Sequence, residues 1–147
     1  YASMVSRGGF EELDSLSPEA KRFIAPLPVT YDPELKCYKD MLSMHGMPGM
    51  GGKPNVNLPK AQALKDATMA HFIAGNLSEG KIFIHYNGSY HSDNYQGIIH
   101  YLKLYRPEIR VSTISTVLQE DISKMDEGNT GLADFIVAIP VTMTRTY

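Results

Sequence analysis

The sequence predicts an α/β fold: a layered, mostly parallel sheet flanked by helices. Three observations lead there. The apolar periodicity switches along the chain between helical and strand spacing, in the order helix, strand, helix, strand, loop, strand. The short apolar run Lys81-Ile82-Phe83-Ile84-His85-Tyr86 directly follows the clearest helix. The stretch from Asp134 to Val141 is almost unbroken apolar, the pattern of a strand buried on both faces, as in parallel sheets joined by right-handed crossovers.

Taken in order, residues 1–25 read as two short helical pieces. Gly8-Gly9 breaks the first, Ser17-Pro18-Glu19 opens the second with a capping residue before proline, and Pro26-Leu27-Pro28 stops it. Residues 41–57 form a Met/Gly/Pro-rich stretch holding Met41, Met44, Met47, Met50 and His45. Glycine and proline at this density argue against a long regular element. The stretch reads either as a loop whose methionines pack irregularly on the core, or as a polarizable lid or soft-metal site using thioethers and His45. Pro59 opens the best helix, running to about Leu77, with Ala61, Leu64, Thr68, Phe72 and Ile73 on one stripe and Lys60 and Lys65 off it.

Residues 81–86 then suit a buried strand. Asp93 and Gln96 have capping-box spacing for a helix through Tyr105, ended by Arg106-Pro107. From Ile109 to Val117, odd-numbered positions alternate with Arg110, Ser112, Ile114 and Thr116 in a β-branched strand pattern. An acidic, glycine-containing loop leads to the last strand.

Composition narrows the function. Of 147 residues, 43% are hydrophobic and 20% charged, with a net charge of −2, ordinary for one globular domain. No basic block stands out, so nucleic acid is not an expected partner. Cys37 is the only cysteine, which excludes an internal disulfide or a thiolate zinc cluster. No stretch reaches the roughly 20 apolar residues of a spanning helix. The chain opens on Tyr1 within what reads as a helix, without a signal sequence; the expectation is a single domain, 1–147, that is amino-terminally incomplete.

In open α/β sheets ligands gather beyond the carboxyl ends of strands. That rule points to Asn87-Gly88-Ser89-Tyr90-His91-Ser92-Asp93, after the strand expected at 81–86. Gly88 permits a sharp turn, and Tyr90 and His91 stand at the mouth. Each has a plainer role: His91 as a partner of a backbone carbonyl, Tyr90 as a half-buried aromatic, Asp93 as a helix cap. His85 is expected in the core, and His71 and His100 at core edges. A zinc-binding His-Glu-x-x-His helix, a phosphate-cradling glycine loop and a Gly-x-Ser-x-Gly elbow are all missing from the sequence.

The segments 62–70, 80–93 and 96–99 together resemble the ChaN family of iron-regulated lipoproteins; the stretch from Gln62 to Gly97 is the specific part, and it holds the Gly88-x-x-His91 motif. The resemblance implies an EreA/ChaN-like α/β domain that binds haem, with Tyr90 and His91 serving the iron, on a bacterial envelope lipoprotein anchored to a membrane outside this chain. A two-fold dimer would let each subunit supply one residue. A phenolate is a hard donor for ferric iron, and imidazole is a common haem ligand. The family domain carries a second Gly-Glu-x-His-type motif upstream, not found here. The wider clan also includes metal-dependent hydrolases of peptidase or esterase type with paired Gly-x-x-His motifs, in which His91 would bind a metal or act as base. A third reading is an envelope interaction protein with a vestigial site.

Overall fold

The computed structural model describes residues 1–44 and 55–144. It is a mixed α/β chain in which helices dominate: α1 (Ala2–Gly8), α2 (Pro18–Lys21), α3 (Lys36–Met44), α4 (Leu58–Asn76) and α5 (Ile98–Tyr105) precede two strands, β1 (Ile114–Gln119) and β2 (Phe135–Pro140).

Helix α4 is the axis, and α1, α3 and α5 all pack on it. Its alanines explain how one helix serves three neighbours. Ala61, Ala63, Ala67 and Ala70 are buried on a broad face, and small side chains let adjacent backbones approach while the larger neighbours fill the space. One buried cluster joins Ala63, Ala67, Ala70 and Ile73 to Tyr38 of α3 and to Ile98, Tyr101 and Leu102 of α5. A second joins Ala61 and Leu64 to Val5, Leu13 and Ile24 from the amino-terminal pieces. The expected stripe is only partly followed: Phe72 is exposed, and the Thr68 hydroxyl accepts a hydrogen bond from the Ala25 N–H at 3.1 Å.

The amino-terminal reading holds in part: a 3-10 helix, Phe10–Ser15, intervenes between the two pieces, and the second ends at Lys21, ahead of Pro26. Gly9 breaks α1 with φ of 91°, and the Ser17 hydroxyl caps α2 by accepting from the Ala20 N–H at 3.3 Å, with Pro18 in the first turn. The first four residues of the methionine stretch, 41–44, belong to α3. Residues 45–54, including His45, lie outside the described residues.

The two strands pair in parallel, with Ile114 opposite Phe135 and Gln119 opposite Pro140. Odd positions of 109–119 face inward and even positions outward, as the alternation predicts. The connecting loop is held by Gln119, 2% exposed. Its amide donates to the Asp121 and Lys124 carbonyls at 2.9 Å, and its oxygen accepts from the Asp126 N–H at 3.2 Å and the Asn129 amide at 3.0 Å. Asp134 ties the start of the pair by accepting from the Thr113 N–H at 2.7 Å.

Three expectations are corrected. Residues 81–86 form no strand and are exposed throughout, with Ile82 91% and Ile84 69% accessible. Apolar composition favours burial but supplies no ladder partner, and among the described residues the sheet is β1 and β2 alone. For the same reason β2 is not buried on both faces: Phe135 and Val137 stand exposed beside Ile114 and Leu118. The helix after the Gly88 loop starts at Ile98, not near Asp93, because Asn94, Tyr95 and Gly97 all take positive φ and break the helical path.

Candidate functional site

The site is assembled between α4 and the turn after residue 88. Gln62 and Asp66 are four residues apart on α4, so both side chains leave one face of the helix. Opposite them, Ser89–His91 forms a single 3-10 turn, in which successive side chains diverge by about 120°. Tyr90 and His91 therefore go different ways.

His91 turns towards α4. Its Nδ1 lies 2.5 Å from Asp66 Oδ1, and the Gln62 amide nitrogen stands 2.8 Å from Nδ1 and 3.1 Å from Nε2. The ring is about one-fifth exposed, whereas Asp66 is 1% exposed. The other carboxylate oxygen accepts the Tyr38 hydroxyl at 2.8 Å. A buried carboxylate is tolerated only when its oxygens are satisfied, and here both are. Burial, with the Asp66 charge next in weight, holds the Tyr38 hydroxyl far above the usual tyrosine range, so it remains a neutral donor. Tyr38 is itself fully buried.

Gly97 is what lets these groups meet. With φ of +54°, it passes so near the turn that a Cβ there would stand 2.4 Å from the His91 carbonyl oxygen and 3.2 Å from Asp66 Oδ2. Only glycine fits this approach.

Tyr90 turns towards α3. Its hydroxyl donates to the Cys37 carbonyl at 2.7 Å, while the Cys37 N–H donates to Gln96 Oε1 at 2.7 Å. Gln96 thus ties α3 to the loop rather than completing a capping box. Tyr90 borders a shallow hollow of about 120 Å³ lined also by Lys36, Asp40 and Asp93. Burial pushes its hydroxyl up, and Asp40 and Cys37 add to the effect. Burial likewise pushes the Cys37 thiol up, which makes it a poor nucleophile.

Asp93 caps no helix; its carboxylate accepts the Ser115 hydroxyl at 2.8 Å and links the loop to β1. His85 is exposed, contrary to the core placement expected for it. His71 and His100 are half-buried against aromatic rings, as core-edge residues. Among the described residues, no three His, Cys, Asp or Glu side chains converge as a metal-binding group.

Sequence reasoning found Tyr90 and His91 and missed Asp66, Gln62 and Tyr38. A signal was present. Asp66 falls among Ala63, Leu64, Ala67 and Ala70 on the buried side of α4, where a carboxylate is rare without a dedicated partner.

The family model for haem-binding uptake proteins of the Tiki superfamily, ChaN, matches residues 1–102. The chain belongs to the ChaN family. The match includes the whole Gln62, Asp66, His91 and Gly97 cluster and ends within α5, before β1. No curated protein and no solved structure matches the chain.

Proposed function

We propose that this ChaN-family chain binds haem without turning it over, for iron or haem uptake or storage, and that His91 is the residue that meets the iron. The observation carrying this reading is the imidazole of the family's Gly88-x-x-His91 motif, one-fifth exposed and backed by a buried carboxylate. Haem-iron histidines carry such hydrogen-bonded support behind the ring. Tyr90 fits an iron-ligand role less well, because its proton is committed to the Cys37 carbonyl and its surroundings oppose the phenolate. Its place in this reading is at the edge of the site.

The donor chemistry fits haem, and exposed apolar side chains lie close in sequence. Ile82, Phe83, Ile84 and Tyr86 are exposed within ten residues of His91, and a porphyrin face needs such contacts. The hollow beside Tyr90, about 120 Å³, is well below the ~300–1,000 Å³ of an enclosing ligand pocket. In this reading haem is held against an open surface and not enclosed in a pocket. Bound there, haem supplies an iron centre for coordination; the protein supplies the imidazole and its orientation.

The remaining parts of the proposal rest on the family resemblance alone. They are the layered EreA/ChaN-like arrangement, a bacterial envelope location through a lipid anchor outside this chain, and a two-fold dimer sharing haem. The decisive experiment is hemin titration followed in the Soret band. Wild type and Tyr90→Phe should both shift the band, whereas His91→Ala should lose the shift. Equal spectra from wild type and His91→Ala would remove His91 from the site.

The same His91–Asp66 pair is also the orienting half of a hydrolase base, which keeps a hydrolase as the second reading. What weighs against it is the neighbour of Nε2, the Gln62 amide rather than a hydroxyl or thiol nucleophile. Metal-dependent hydrolysis of ester or peptide substrates, lost in His91→Ala, would favour it over haem.

A further inference from the structure

We propose that Asp66 is the positioning residue of this site, selecting the tautomer of His91 that leaves Nε2 as the ring nitrogen carrying the lone pair, before any ligand arrives. The argument starts with proton counting. An ionised carboxylate only accepts hydrogen bonds, and Asp66 Oδ1 is 2.5 Å from His91 Nδ1, so Nδ1 carries the proton. Nε2 is then an acceptor in the neutral ring. The Gln62 amide stands 3.1 Å from it and donates there. The same amide lies 2.8 Å from Nδ1, but with Nδ1 donating to Asp66 only Nε2 can accept from it.

Asp66 is itself held in place. Tyr38, fully buried, donates to Oδ2 at 2.8 Å, and the carboxylate sits on α4, the best-anchored helix of the chain. Gly97 closes the fourth side. The carboxylate cannot swing away without leaving a buried charge unpaired, which costs more than a surface ion pair gains. A ligand reaching Nε2 need displace only the Gln62 amide.

This inference deepens the haem reading but depends on it only for the affinity arm of its test. Long-range proton–nitrogen spectra of histidine-labelled, haem-free protein at alkaline pH read the tautomer directly. Wild type should show His91 protonated at Nδ1. Asp66→Ala should shift the ring to the Nε2-protonated form, and so should Asp66→Asn, whose oxygen accepts from the Tyr38 hydroxyl and whose amide N–H then donates to Nδ1. In hemin titrations Asp66→Ala should bind about 10–100-fold more weakly than wild type, the usual cost of losing such support. A wild-type His91 protonated at Nε2, or an Asp66→Ala spectrum identical to wild type, overturns the inference. If Asp66→Ala does not fold, the wild-type spectrum alone decides. A wild-type ring protonated at Nδ1 in a protein that leaves the Soret band unmoved would sink the haem reading and keep Asp66 in its role.

Discussion

Replacing Gly97 by alanine should injure stability and site together, and the structure sets the size of the effect. Gly97 has φ of +54° and ψ of −117°, a region that residues with a Cβ avoid at a cost of about 1–3 kcal/mol. The added Cβ would also lie 2.4 Å from the His91 carbonyl oxygen. Reaching even 3.0 Å requires a retreat of about 0.6 Å, and the atom that must retreat is backbone, not the end of a flexible side chain. Allowing about 1 kcal/mol more for that displacement gives a total near 2–4 kcal/mol, a large share of the ~5–15 kcal/mol that holds a domain folded. Because the retreating backbone belongs to His91, the imidazole leaves Asp66 as the strain is relieved.

Urea unfolding of wild type, Gly97→Ala and Gly75→Ala measures this. Gly75 lies in the last turn of α4 with nothing within 4 Å of the position a Cβ would take. There alanine should be neutral or stabilise by up to about 1 kcal/mol. A Gly97→Ala midpoint equal to wild type, at unchanged slope, would show that the loop can relax without cost. The close-approach argument would then be wrong.

Three other perturbations test separate parts of the structure. Gln62→Ala removes the amide that competes for Nε2, so hemin should bind about 2–10-fold more tightly, the equivalent of one neutral hydrogen bond; weaker binding in a Soret titration would make Gln62 a contact for the ligand instead. Ile82→Lys with Ile84→Lys alters two side chains that are 91% and 69% exposed, and urea unfolding should change by less than about 0.5 kcal/mol, whereas a buried strand would lose several-fold more. The Asp134 carboxyl is held below the usual carboxylate range chiefly by the Thr113 N–H. Its contribution is present above the unfolded value of ~3.9 and is lost as pH falls through the lower folded value. Wild type should therefore lose stability more steeply than Asp134→Asn on going down through that window, with Thr113 amide exchange rising in parallel.

What could be read from the residues was whatever depended on local chemistry. The break at Gly9, the cap at Ser17, helix α4 and the in–out alternation of 109–119 each follow from spacing and turn residues, and each was legible. Residues 81–86 were not, because a strand is a relation between two segments and an apolar run states only one side of it. The chain shows that run and the outer face of β1 and β2 uncovered among the described residues. Their apolarity is explained by no packing among the described residues.

The site was half legible for a related reason. Tyr90 and His91 announce themselves by type and by their place after a glycine, but the sequence does not say which way each turns. The 3-10 turn decides it: one step along that turn sends Tyr90 to Cys37 on α3 and His91 to Asp66 on α4. The two groups that looked like a shared ligand pair thus acquire different partners. The tyrosine hydroxyl donates to a carbonyl oxygen, and in the inferred tautomer the histidine Nδ1–H donates to a buried carboxylate and leaves a lone pair on the other nitrogen. Only the second arrangement leaves a ring nitrogen able to meet a metal, so in the proposed haem reading the geometry of three residues in one turn, more than the identity of either side chain, singles out His91.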